Sequence, residues 1–404
     1  MKYLFSLAVI SALFIPIKSF GQTSSGATPY FSFKRGIAVT APDSSFSVNF
    51  RFRMQNRAVY TTNSTEDLSA SEIEARVRRL RLRIEGFMYN PKLTYMIQLS
   101  FSRGDMDWSV RHGVNTINES PNVVRDAVIY YRPVKGLTLF FGQTKLPGNR
   151  QRVVSSGDLQ FIDRSIVNAT FNIDRDFGFQ THYLGNLGKF HYMVKGALTS
   201  GEGRNVILTN GGLAYTGRIE LLPLGLFKNN GDYFEGDLER EETVKVSLAG
   251  GLSFNERARR SGGQIGRDLH EMRTIETYIF DGLVKYRGFA VYGEYIERKT
   301  GNPFTFNSAG DRRHIISGNG KMIQGSYNFI NNFELAMRYA NIRPESRLRD
   351  FEYTEDVYTV GVTKYLRAHR LKLQSNFSFH QQGRTMVITP RDFLSLGFQM
   401  ELGI

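Results

Sequence analysis

Residues 78–86 read Arg-Arg-Leu-Arg-Leu-Arg-Ile-Glu-Gly. From Arg79 to Glu85 every second residue is charged (Arg79, Arg81, Arg83, Glu85), and Leu80, Leu82 and Ile84 lie between them. A strand sends successive side chains to opposite faces. This segment therefore has one hydrocarbon face and one face carrying three guanidinium groups. In a soluble β-sandwich such a polar face merely meets bulk water. In a membrane barrel the pattern is inverted, with lipid outside and a wet, charged lumen inside.

The same alternation recurs along the chain. Phe46, Val48, Phe50, Phe52 and Met54 alternate with Asn49, Arg51, Arg53, Gln55 and Arg57. Leu93, Tyr95, Ile97 and Leu99 oppose Thr94, Gln98 and Ser100; Val244, Val246 and Leu248 oppose Thr243, Lys245 and Ser247. Phe333, Leu335, Met337 and Tyr339 oppose Glu334 and Arg338, and Leu371, Leu373, Phe377 and Phe379 oppose Lys372, Gln374, Asn376 and Ser378. Each run has about the ten residues that a tilted membrane strand needs. The connections alternate in length. Short turns fall near Asn90-Pro91, Arg132 to Gly136, Gly185 to Gly188, Lys285 to Gly288, Asn328 to Asn332 and Arg367 to His369, with an anomalously long one at Pro223 to Glu242. Longer polar stretches occupy 61–74, 103–123, 145–172, 199–212, 255–272, 298–319, 341–355 and 381–391. Seven turns and eight loops imply about sixteen strands, with both chain ends on the short-turn side. The expected fold is all-β: a closed transmembrane antiparallel barrel, 44–404, with long extracellular loops. Closure removes the unpaired edges that lipid does not permit, and sixteen strands leave an aqueous channel.

The N-terminus reads as a secretory signal over 1–21. Lys2 supplies the positive start, Tyr3 to Ile17 is the apolar stretch, and Ser19-Phe20-Gly21 is a small-residue cleavage site. Residues 22–43 then form a periplasmic N-terminal segment. There is no Cys, hence no disulfide framework and no lipid anchor on an N-terminal Cys. Net charge is +14, and +12 without Lys2 and Lys18. Such basicity suits nucleic acid, an anionic membrane surface or an anionic solute. No recognition-helix, zinc or RNA-binding motif accompanies it, so nucleic acid is not an expected partner.

The ordered stretches Arg78 to Gly86, Arg125-Asp126-Ala127-Val128-Ile129-Tyr130-Tyr131-Arg132-Pro133, Phe141-Gly142-Gln143-Thr144-Lys145-Leu146-Pro147, Phe161-Ile162-Asp163-Arg164 and Arg175-Asp176-Phe177-Gly178 resemble the phosphate-selective porin O and P family. Weaker echoes are Gly217 to Pro223 and Glu334 to Tyr339. The resemblance implies a sixteen-stranded homotrimeric porin of a Gram-negative outer membrane. It further implies a third loop folded inward as a constriction, and passage of phosphate or related anions through an arginine-lined pore.

By parity, the lumen candidates are Arg51, Arg53, Arg57, Arg79, Arg81, Arg83, Lys245, Arg338 and Lys372. Arginine stays protonated and offers a planar fork of donors suited to phosphate or carboxylate oxygens. A ladder of such groups raises the local anion concentration and lets an ion pass between several weak sites. The constriction loop offers Lys145, Arg150, Arg152 and Arg164, with Lys145 assigned by family position alone. The competing role for all of these is to pair with loop acids; Asp163 and Asp174 are expected in that network, and for Arg164 and Arg175 it is the favoured role. Loop arginines such as Arg257, Arg259, Arg260 and Arg267 suit the phosphates of lipopolysaccharide. Rival functions are a non-conducting structural or assembly barrel and a barrel-embedded hydrolase. The histidines are scattered and no nucleophile motif accompanies them, so no enzyme, no cofactor and no metal site is expected.

Overall fold

The computed structural model describes residues 29–33, 36–102, 123–206, 212–383, 385 and 389–404; the signal reading and most of 103–123 lie outside these residues. Sixteen strands form one closed antiparallel barrel. In order they are β1 (Phe46–Thr62), β2 (Ala70–Met88), β3 (Asn90–Ser100), β4 (Val124–Tyr131), β5 (Leu137–Lys145), β6 (Arg175–Leu187), β7 (Phe190–Thr199), β8 (Ala214–Leu222), β9 (Lys245–Arg260), β10 (Asp268–Tyr286), β11 (Phe289–Lys299), β12 (Gly318–Asn328), β13 (Phe333–Pro344), β14 (Glu355–Arg367), β15 (Leu371–Gln382) and β16 (Phe393–Gly403). The barrel closes where β16 pairs with β1, from Ser395↔Thr61 to Gly403↔Arg53. Below that seam the lower end of β1 pairs with a short N-terminal strand, Ile37–Thr40, itself in a hairpin with Tyr30–Ser32.

The wall obeys the two-residue period. Leu248 and Leu252 on β9 are each about half exposed on the outer surface, whereas Ser247 and Ser253, which flank them, are buried on the inner side. Phe141, Phe177 and Phe179 cluster on the outer wall, with Phe141 and Phe179 ring centroids 4.6 Å apart. The short turns are tight. Arg287 and Gly288, which join β10 to β11, both have positive φ, 47° and 95°. That is the requirement of a two-residue turn whose twist matches the strands.

Among the described residues, two connections enter the lumen instead of lying over its ends. Loop L3, residues 146–174, carries helix α1 (Arg150–Val153) and helix α2 (Ile166–Phe171), the latter capped by Ser165 Oγ, which accepts from the Asn168 N–H. Turn T4, residues 223–244, rises from the opposite end with two short 3₁₀ turns within Lys228–Tyr233, kinked at Asn229 and Asn230, which have positive φ of 51° and 56°. They meet inside. The Glu235 N–H donates to the Asp158 carbonyl at 3.0 Å, and the Glu235 carboxylate accepts from the Gln160 N–H at 2.9 Å and from Gln151 Nε2 at 3.0 Å.

The core lies between L3 and one wall. Leu146, Val167, Phe171 and Ile173 of L3 pack with Phe227 of T4, Leu222 of β8 and the inward Ile279, Leu283, Tyr292, Ile296, Met322, Ala340 and Ile342 of β10 to β13. Burying a side chain of this size stabilises by roughly 1.5–3 kcal/mol, so the cluster is a substantial anchor for the loop.

Candidate functional site

The wall facing that core is basic. On β1 and β2 the alternation aims the arginines at L3. Arg53 donates to Ser155 Oγ at 3.0 Å and Ser156 Oγ at 2.8 Å. Arg81, buried, donates to Ser156 Oγ at 3.1 Å. Arg79, also buried, donates to Gln55 Oε1 at 2.7 Å and to Asp163 at 3.2 Å. Arg57 holds Glu74 with two bonds and also Asp163. Asp163 thus collects several guanidiniums. Burial alone would raise its pKa, but Arg79, Arg78 and Arg57 outweigh burial and hold the carboxyl well below the usual range.

The remaining predicted residues are distributed as follows. Arg83 pairs with Glu85 on its own strand, and Arg51 reaches the same carboxylate at 3.4 Å. Arg338 lies over the Phe161 ring at 4.3 Å and donates to the Asp163 carbonyl. Lys372 is fully buried, donating to the Leu159 carbonyl at 2.7 Å, with Glu401 at 3.7 Å. Lys245 sits at the T4 end, its Nζ donating to the Leu224 carbonyl. Lys145, at the end of β5, donates its Nζ to the Val153 carbonyl of L3, and within L3 Arg164 caps the Gln151 and Val154 carbonyls at 2.7 Å each. Arg152 binds Asp174, which also receives Arg175. Arg150 crosses to the far wall, donating to Asp281 at 2.7 Å, Ser247 Oγ at 2.7 Å and the Asp232 carbonyl of T4 at 2.9 Å.

Other residues of the site were not singled out from the sequence. Arg218 contacts Glu220 and Asp281 at 2.6 Å each, and Lys195 contacts Glu220 at 2.8 Å. The signal for Arg218 was available: Thr216, Arg218, Glu220 and Leu222 share one parity on β8 and are all buried. Gly361 and Gly397 leave room for L3. A Cβ at Gly361 would come within 2.8 Å of the Phe161 ring, and one at Gly397 would collide with Ile162.

Beside L3 runs a cavity of about 680 Å³. Its lining extends from Gly136 and Leu184, near the short turns, to Arg204 and Ile265 in the long loops. Thirteen Arg and Lys side chains line it against three carboxylates, Asp126, Asp174 and Glu220. Each carboxylate is bonded to a basic neighbour, Asp126 to Arg175 at 2.9 Å. Glu85, Asp163 and Asp281, outside the lining, pair with Arg83, Arg79 and Arg150 in turn, so among the described residues the thirteen basic groups answer to six carboxylates, a surplus of seven positive charges. Smaller spaces of about 310 Å³ and 110 Å³ also adjoin L3, lined in part by Arg57, Arg164 and Arg338, and by Arg51, Arg53 and Arg81.

A closed sixteen-strand barrel with an apolar outer wall and a basic lumen narrowed by an inward loop defines an outer-membrane porin, a channel rather than an enzyme. Residues 46–225 match the family model described as phosphate-selective porin O and P, the same family that the sequence motifs resemble. The matched segment runs from β1 through L3 into T4. Solved structures share the fold. The outer membrane channel DcaP of Acinetobacter baumannii aligns over 92% of this chain and 100% of its own, with TM-score 0.53 and 11% identity. The anion-selective porin from Comamonas acidovorans aligns over 89% and 100%, with TM-score 0.53 and 12% identity. OmpF of Salmonella typhi aligns over 90% and 99%, with TM-score 0.55 and 11% identity. At these identities the likeness is one of fold. No curated protein matches the sequence. Family and fold place the chain in the outer membrane of a Gram-negative bacterium.

Proposed function

We propose that the chain is a passive diffusion channel for small anions, phosphate among them. The observation that carries this reading is the charge of the cavity beside L3, where thirteen basic groups outnumber the six carboxylates of its lining and of their ion pairs. In a narrow, low-dielectric passage such a surplus concentrates anions and repels cations. Because the arginines stand at successive levels of β2, an anion exchanges one guanidinium for the next, so no single site holds it for long. Many of these groups also hold L3. Arg79 and Arg53 have both tasks: their bonds to Asp163, Ser155 and Ser156 set the loop, and their charge adds to the field beside it. The family match supports phosphate as the solute, and the homotrimer belongs to the same reading. So do export through a leader at 1–21, a periplasmic segment at 22–43, and contact of the loop arginines with lipopolysaccharide phosphates.

The test is recording from the purified protein in planar bilayers under a salt gradient. The expected result is steady stepwise conductance with a reversal potential on the chloride side and a lowering of the chloride current by added phosphate. A cation-selective reversal potential, or a barrel that inserts without conducting, would refute it. Cross-linking in outer-membrane vesicles tests the trimer, a ladder ending at three copies being expected.

A further inference from the structure

We infer that the lumen favours organic anions with an apolar, flat body over small aliphatic or inorganic anions of equal charge. This names the substrate class within the anion-channel reading and rests on it.

A water-filled lumen asks for polar inward side chains, and β3 to β6 depart from that rule beside the basic cavity. Met96, Tyr130, Phe140 and His182 all line it. They adjoin one another across the strands. Tyr130 pairs in register with Phe140. The two rings meet edge to face with centroids 4.9 Å apart, Phe140 and the His182 ring are 4.3 Å apart, and Tyr130 Oη lies 3.9 Å from Met96 Sδ. The result is a continuous aromatic and thioether band on the inner wall. Two structural roles for it fail on the geometry. Leu146, Val167, Phe171 and Ile173 of L3 pack on β10 to β13, in a cluster that contains none of these four residues, and Phe161 and Ile162 pack at Gly361 and Gly397 of β14 and β16. T4 contributes only Tyr233 to the cavity, and its ring carries Arg150 and Lys195 at 5.7 Å and 4.8 Å.

The band begins where the arginines are. Arg83 pairs with Gln98 and Glu85 with Met96, so Arg83 and Met96 are diagonal neighbours, roughly 7–8 Å apart at Cα. A carboxylate or phosphate at Arg83 places an attached ring over Met96, Tyr130 and Phe140. Ring edges and faces attract a further ring, and sulfur does so as well. Chloride, acetate and inorganic phosphate meet the charge but gain nothing from the band.

The test uses the full-length chain in planar bilayers with chloride as carrier, adding benzoate, acetate or inorganic phosphate in turn. Benzoate is expected to lower the chloride current at concentrations about three- to tenfold below acetate. Phe140→Ala and Tyr130→Ala should each bring that ratio towards one, and Phe140→Leu, which keeps an apolar side chain but removes the ring, should do so in part. Phe141→Ala, on the lipid face of the same strand, should leave the ratio as it is. Equal potency of benzoate and acetate on the unmodified channel overturns the inference and needs no variant to fold. An unchanged ratio in a conducting Phe140→Ala channel overturns it too. A reversal potential without anion preference would instead remove the underlying channel reading, whereas anion preference with no benzoate advantage removes this inference alone.

Discussion

The two walls of the lumen share one strand geometry and carry opposite chemistry. On β1 and β2 the inward side chains are Arg53, Arg57, Arg79, Arg81 and Arg83, and they reach L3 through hydroxyls and the Asp163 carboxylate. On β10 to β13 the inward side chains include Ile279, Leu283, Ile296 and Met322, and they reach the same loop through Val167, Phe171 and Ile173. The loop is thus amphipathic across its thickness, with one side greased and the other pinned by charge. Inward-facing does not mean wet: on β10 to β13 the inner wall is apolar where L3 covers it. Both contacts hold the loop, the apolar side chains by burial at roughly 1.5–3 kcal/mol each and the arginines through ion pairs that are themselves largely buried.

That division predicts a graded set of outcomes. The largest effect should follow Phe171→Ala, because the side chain is fully buried in the apolar cluster. Removing it costs about 3–5 kcal/mol, enough to free α2 from its wall. Single-channel conductance and current noise should both rise, and an unchanged conductance would show that the apolar wall does not position the loop. A smaller and more informative effect separates two arginines of one strand. Arg83 bonds to Glu85 on its own strand, whereas Arg79 bonds to Asp163 of L3. Arg83→Ala should lower the anion-to-cation permeability ratio by about two- to fivefold with no added noise, and Arg79→Ala should lower the ratio and add noise. Identical behaviour of the two variants would erase the distinction between field and pin. The smallest effect is that of pH. Asp163 is held below its ordinary range by its arginines. Its contribution is therefore complete above the unfolded carboxyl value of about 4 and is lost only as pH falls through the depressed folded value. Noise should stay flat from neutral pH down to about pH 4 and grow below it. In Asp163→Asn that acid-dependent growth should be absent.

Much of this was legible in the residues. The period of two around Arg79 to Glu85 and the alternation of short and long connections led to sixteen strands, because both follow from backbone geometry alone. The apolar wall was harder to read. On β10 both parities are hydrocarbon: Ile279 and Leu283 are buried inside while Phe280 and Val284 face outward, so alternation disappears where a loop covers the inner face. That loss of contrast in Ile279-Phe280 and Leu283-Val284 is itself the sign of a covered wall. The length of T4 stood out in the sequence, but its direction did not. Its polar residues suit an outer turn as well as a lumen insert, and only the partners of Glu235 and Tyr233 decide between them. Phe140 and Phe141 obscured the parity of β5 because both faces are aromatic there, one towards lipid and one towards the cavity.

The central claim, that guanidinium groups border the ion path while the hydrocarbon residues between them face lipid, is tested most directly by thiol accessibility. The chain has no cysteine, so single replacements report without background. In bilayers, a negatively charged membrane-impermeant thiol reagent should react with the Arg83→Cys channel and produce stepwise current changes, and it should leave the Leu82→Cys channel untouched. Reaction at position 82 with silence at position 83 would contradict the account.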